Sequence, residues 1–132
     1  MVDQRGGVVG EEGEDRPGKR FVWYVDPIDG TKSFISGMPL FGTLLALYDL
    51  ERQRPAFGMI DMPAMGERWL GDGRAAWLNG RKVRVSRCER LSEAQVYTSS
   101  PDFFSADEWP TYDRLSREAA FRRFGGDCYL YG

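Results

Sequence analysis

The sequence predicts an α+β domain organised around a largely antiparallel sheet. Three observations carry that expectation. Strand-sized apolar runs follow one another between residues 20 and 98, separated by short clusters of Gly, Pro, Asn and Asp, so sequential hairpins are expected. A single longer segment, 108–121, carries apolar residues at helical spacing. Aromatic residues make up 14% of the 132 residues, too many for a linker or a disordered tail, so a packed core is expected.

The first twenty residues are Gly-rich and acidic and read as loop, with one extended piece at 7–10. Residues 20–26, Arg-Phe-Val-Trp-Tyr-Val-Asp, are nearly continuous aromatic and β-branched side chains and predict a buried strand. It is expected to stop at Asp26, because Pro27 lacks a ladder amide and Gly30 punctuates the chain. Thr31 reads as the N-cap of a short helical turn through Phe34 and Ile35. Strands are expected at 42–50 and 56–62 around the turn 51–55, and at 67–70 and 75–78 around 71–74. Asn79-Gly80 is a two-residue hairpin signal ahead of a strand at 82–86. A further strand at 95–98 is closed by Ser99-Ser100-Pro101. Trp109, Tyr112, Leu115 and Ala119 predict the helix at 108–121, and residues 127–131 read as the start of another. Trp23, Phe34, Phe41 and Trp69 are core candidates. The chain stops at Gly132 without a closing element, so 1–132 reads as a single incomplete domain.

Composition bounds the chemistry. Eighteen basic residues against 20 acidic ones leave a net charge of -2, so there is no basic field to hold a nucleic acid, and none is expected as a partner. No apolar run approaches the ~20 residues that span a bilayer, and no signal-like apolar region follows the N-terminus, so no membrane partner is expected. The two cysteines, Cys88 and Cys128, fit a reducing cytoplasm. Histidine is absent, which excludes Ser-His-Asp and Cys-His nucleophiles, His acid/base chemistry and imidazole-bound zinc. Carboxylates, hydroxyls and backbone dipoles remain, and these are the ligands of hard cations.

The densest signal is Trp23-Tyr24-Val25-Asp26-Pro27-Ile28-Asp29-Gly30-Thr31. A hydrophobic strand delivers Asp26 at its C-terminal end. Pro27 fixes a turn that frees the Ile28 carbonyl, and Asp29 comes round to the side of Asp26. Two carboxylates and a carbonyl make an oxygen cage suited to Mg²⁺. Gly30 allows close approach of a phosphate, and Thr31 opens a helix whose free amides favour an anion. The alternative makes both acids mere turn and cap residues, which requires the strand, the second acid, the Gly and the Thr to coincide by accident. Spacing excludes an EF-hand loop, whose twelfth position is Gly37 here, and the haloacid-dehalogenase pattern, whose two aspartates lie two apart. Upstream, Val9-Gly10-Glu11-Glu12-Gly13 is by itself a solvated acidic turn; beside the first motif it can supply the charge and base that two aspartates lack.

Together, Gly10-Glu11-Glu12 and the segment Trp23 to Thr31 resemble the inositol monophosphatase superfamily of Mg²⁺-dependent, Li⁺-sensitive phosphatases. The resemblance continues through Gly58-Met59-Ile60, Pro63, Gly66-Glu67, Gly73, Asn79-Gly80 and Val85-Ser86. Thr98-Ser99-Ser100-Pro101 and Arg123-Phe124-Gly125-Gly126-Asp127-Cys128-Tyr129 are most similar to the histidinol-phosphate phosphatase branch. The fold implied is part of the layered α/β sandwich of the inositol monophosphatase/fructose-bisphosphatase type.

By the same resemblance, Glu11, Asp26, the Ile28 carbonyl and Asp29 would be ligands of Mg²⁺, two or three ions in the intact family site. Glu11 and Thr31 would serve catalysis, Glu11 by orienting or deprotonating a metal-bound water and Thr31 by holding the water that attacks phosphorus. The amides of Gly30 and Thr31 would receive the phosphate, and Gly126 and Asp127 would contact the organic part of the substrate. Attack is in line and needs no phosphoenzyme. The implied reaction hydrolyses a small phosphorylated metabolite, histidinol phosphate to histidinol, a step of histidine biosynthesis. Inositol monophosphate and 3′-phosphoadenosine 5′-phosphate are the rival substrates. A truncated, non-catalytic remnant and a structural Ca²⁺ module are the rivals outside catalysis, and the implied assembly is a homodimer.

Asp127 carries two open readings: a carboxylate suited to a cationic alcohol, and a cap for the helix it begins. Cys128 reads as core, and Lys32 either assists the phosphate or is solvated. Two departures stand out. The family's downstream Trp-Asp motif is missing, since Trp23, Trp69, Trp77 and Trp109 are followed by Tyr, Leu, Leu and Pro. The family's two N-terminal helices, with an acid that pairs with the threonine hydroxyl, also lack a counterpart.

Overall fold

Residues 6–10, as backbone, and residues 20–132 are described by the structure, a computed structural model. Alternating apolar residues and tight turns produce the expected sheet. The strands are β1 (Gly6–Gly10), β2 (Phe21–Asp29), β3 (Gly42–Asp49), β4 (Arg54–Met62), β5 (Glu67–Gly71), β6 (Ala76–Leu78) and β7 (Arg81–Val83), lying side by side in that order. From β2 onward each pair is antiparallel, whereas β1 joins β2 in parallel. The β6–β7 turn places Asn79 at φ 48° and Gly80 at φ 79°, the two left-handed positions that a tight hairpin needs.

A second sheet pairs β8 (Gln95–Thr98) with β9 (Phe121–Phe124) in parallel. Parallel strands need a crossover, and α2 (Trp109–Glu118) supplies it. Its Trp109 and Tyr112 pack against Phe104 and Phe124. The expected helix through 121 therefore ends early. Ala119 turns extended, the Ala120 amide donates to the Ala94 carbonyl at 3.0 Å, and β9 begins.

Four other expectations are corrected. β2 does not stop at Asp26 but runs through Pro27 to Asp29, because a register shift between Asp26 and Asp29 leaves Pro27 out of the ladder. It is also not uniformly buried: Val22 is closed off, but Tyr24 is 46% exposed. Phe34, at 47%, is no core residue and instead meets Phe41 edge-on with ring centres 5.0 Å apart. β7 is shorter than expected and ends at Val83.

One face of the large sheet positions the site. Cross-strand partners share a face, so Val22, Tyr24 and Asp26 lie with Leu44, Ala46, Ile60 and Trp69. A 3-10 turn (Asp127–Tyr131) crosses this face. Its Cys128 is fully buried, with the sulfur 3.4 Å from the sulfur of buried Met62. Beside it runs an open, mostly apolar groove of about 1050 Å³, lined by Leu44, Ala46, Ile60, Trp69, Val83 and Tyr131 among others. At the far end of β3, buried Asp49 accepts the amides of Glu51 and Arg52 and a guanidinium N–H of Arg20. Burial opposes its charge, but the Arg52 amide and the Arg20 guanidinium outweigh burial and hold its carboxyl below the usual range.

Candidate active site

The centre of the site is the end of β2. Asp26 is paired with Leu44 and Asp29 with Gly42, so two residues of β2, Pro27 and Ile28, are set against one of β3, Thr43. Leu44 and Gly42, two apart, point to one face. Their partners must do the same, and the bulge therefore places Asp26 and Asp29 on one side of the sheet. Without it, residues three apart would face opposite ways.

Local hydrogen bonds hold this detour. The Ile28 amide donates to Asp26 Oδ1 at 3.1 Å, and Thr43 Oγ1 donates to the Pro27 carbonyl at 2.9 Å. The Ile28 carbonyl lies outside the ladder, as expected, and accepts the Thr31 hydroxyl at 3.1 Å. A carbonyl has a second lone pair, so this bond leaves it able to serve another ligand. Asp29 Oδ2 is closed to solvent and receives no N–H or O–H donor among the described residues; the weak thiol of Cys128 lies beside the carboxylate. An unpartnered, shut-in carboxylate oxygen is costly unless something positive satisfies it.

Gly30, at φ 78° and ψ 39°, is the residue that caps α1 (Thr31–Ile35). Thr31 is thus the first helical residue and not the cap, because its hydroxyl is committed to the Ile28 carbonyl. Amides in the first turn have no carbonyl four residues behind them and stay available to an anion. Lys32 is exposed. Ser33 is buried, and its hydroxyl donates to Asp127 Oδ2 at 2.8 Å.

Asp127, at φ 43°, opens the 3-10 turn, and no side-chain bond caps that turn. The capping alternative is therefore set aside: Oδ2 of the carboxylate accepts from Ser33 and lies over Gly30, whose β-carbon, if present, would stand 3.1 Å from it. Gly126 is buried, with its α-carbon turned toward Leu130. Burial, and then the neighbouring Asp29 carboxylate, push the Cys128 thiol up to about 12, so this cysteine is inert packing.

Glu11 lies outside the described residues; β1 ends one residue before it, at Gly10, opposite Val25. Among the described residues no three His, Cys, Asp or Glu side chains converge on one point. Asp26, Asp29 and the Ile28 carbonyl fit a hard divalent cation by donor type and by the unsatisfied Asp29 oxygen, and they leave room in the set for a further acid. Sequence reasoning missed Ser33, because no local pattern links it to a partner 94 residues away.

The sequence pattern of the inositol monophosphatase family matches residues 4–131. The chain belongs to the inositol monophosphatase family. The bifunctional phosphatase IMPL2, chloroplastic, of Arabidopsis thaliana is 46% identical over 112 residues, covering 84% of this chain and 32% of that protein. The histidinol-phosphatase of Chlorobaculum parvum is 38% identical over 128 residues, 93% of this chain and 48% of that one. An inositol monophosphatase structure from Zymomonas mobilis superposes with a TM-score of 0.86 at 37% identity, covering 97% of this chain and 49% of that one. The chain thus spans a third to a half of the length of these family members. The fold is shared, an α+β arrangement with a mainly antiparallel sheet. No helix among the described residues is long and apolar enough to cross a membrane.

Proposed function

We propose that this chain carries the cation- and phosphate-binding centre of a Mg²⁺-dependent phosphomonoesterase acting on histidinol phosphate. The observation that carries the reading is the Asp29 oxygen, closed to solvent and without an N–H or O–H donor, on the same sheet face as Asp26. Asp26, Asp29 and the Ile28 carbonyl would hold the ion, with Glu11 as the further acid. When bound, a divalent cation lowers the pKa of the attacking water and offsets charge on the phosphoryl group. The chain's own groups do the rest. Thr31 donates its hydroxyl hydrogen bond to the Ile28 carbonyl, which leaves its oxygen lone pairs free to accept a hydrogen bond from water and aim it. The amides of Gly30 and Thr31 receive phosphate oxygens. Asp127, lying over Gly30, presents a negative group to the alcohol portion of the ester. That charge supports a cationic alcohol such as histidinol over inositol or phosphoadenosine phosphate. Relatives named histidinol-phosphatase support the same choice, while others are named inositol-1-monophosphatase.

A second reading, a non-catalytic remnant, rests on the lack of three converging acidic side chains among the described residues. Release of phosphate from histidinol phosphate with Mg²⁺, measured for this chain and for Asp29→Asn, separates the two. The enzyme reading expects a loss of at least about 100-fold in the variant, the scale of removing a metal ligand or its support. Indistinguishable rates favour the remnant.

A further inference from the structure

The Ser33–Asp127 hydrogen bond joins two segments that lie far apart in the sequence. One is the first turn of α1, which carries the Gly30 and Thr31 amides; the other is the 3-10 turn 94 residues away. Ser33 is only 7% exposed, so its hydroxyl has little water to turn to. Asp127 holds a left-handed backbone, φ 43°, which a non-glycine residue keeps only when its surroundings fix it. Gly30 leaves the space that the carboxylate fills: Asp127 Oδ2 and Cβ lie 3.1 and 3.2 Å from where a Gly30 β-carbon would be. Oδ2 is taken by Ser33, while no hydrogen bond from the described residues reaches Oδ1. No Arg or Lys among the described residues pairs with this carboxylate. A charge that is anchored, uncompensated and next to a phosphate loop is a receptor for a cation attached to a phosphate.

We propose that Ser33 is a positioning residue for substrate choice: its hydroxyl fixes the Asp127 carboxylate over Gly30, where it receives the protonated amine of a phosphate monoester. The inference rests on the phosphate reading above and adds to it the residue that sets the preference for cationic esters. Ser33 itself touches no substrate. A neutral ester uses the same amides and cation and gains nothing from Asp127, so only cationic esters register the state of Ser33.

Calorimetric titration of the chain in Mg²⁺ with L-histidinol phosphate and with glycerol 2-phosphate tests this. The parent is expected to bind the cationic ester more tightly. Ser33→Ala is expected to weaken histidinol phosphate about tenfold, the scale of one hydrogen bond to a charged group, and to leave glycerol 2-phosphate within about twofold. Ser33→Thr, which keeps the hydroxyl, restores the preference. Asp127→Asn still accepts from Ser33 but carries no charge, and it abolishes the preference. Thermal melts accompany each variant, and Ser33→Cys replaces Ser33→Ala if the latter does not melt cooperatively. Equal weakening of both esters, or no change in either, overturns the positioning role while sparing the phosphate reading. So does a parent that binds both esters equally. A parent that binds neither overturns both.

Discussion

Gly30 and Leu40 touch backbone to backbone: a β-carbon on Gly30 would stand 2.6 Å from the Leu40 carbonyl oxygen. The same residue holds φ 78°, where a side chain is strained in any case. Gly30→Ala is therefore expected to cost about 3 kcal/mol, left-handed strain and overpacking together. Gly58→Ala is the control, because nothing lies within 4 Å of its added carbon, and it should stay within about 0.5 kcal/mol of the parent. Urea denaturation midpoints of the two variants check the contrast.

Asp29→Asn should separate stability from cation response. Replacing a shut-in oxygen without an N–H or O–H donor and removing one of two like charges on one face leaves the metal-free chain as stable as the parent, or more so. The parent should gain about 2.7 kcal/mol at a Mg²⁺ concentration near 100 Kd. The variant should gain nothing. Scanning calorimetry in chelator and in Mg²⁺ reads both quantities, and an equal Mg²⁺ response in the two proteins would remove Asp29 from the cation site.

The two thiols should react very differently. Cys88 is exposed, while Cys128 is buried and its thiol is held protonated, pushed up to about 12. At pH 8 a disulfide reagent such as Ellman's is expected to modify one thiol promptly and the second only after denaturation. Prompt release of two equivalents would show that the 3-10 turn does not stay docked on the sheet.

Asp113 sets part of the acid limit of stability. Hydrogen bonds from Arg117 at 2.8 Å and Arg122 at 2.5 Å hold its carboxyl below the usual value. The unfolded chain binds that proton more readily, so the contribution is present above the unfolded pKa of about 3.8 and is lost as pH falls through the lower folded value. Asp113→Asn should be destabilised at neutral pH and should lose less stability than the parent below pH 4. Urea melts across that range check the sign, and parallel acid limbs would contradict it.

The hairpin strands between 42 and 83 are legible because each combines an apolar run with a turn of specific chemistry, Asn79-Gly80 above all. β9 is not legible: Phe121-Arg-Arg-Phe124 sets its aromatics three apart, a helical spacing, and the parallel pairing with β8 alone makes it a strand. Asp26, Asp29 and the free Ile28 carbonyl can be read from the motif. How two acids three apart come to share a face cannot, since that depends on the partner strand at Gly42. Ser33 stayed silent for the same reason, its partner being remote in sequence.

What β2 preserves is a count, not an identity. Ile28 contributes its carbonyl while its side chain is 40% exposed, so other side chains can stand at that position with little consequence for the acids. Deleting one residue between Asp26 and Asp29 would instead remove the bulge, leaving the acids as ordinary alternate strand neighbours without the freed Ile28 carbonyl between them. Substitution is cheap there and a change of length is fatal, so drift in this loop is confined to spelling.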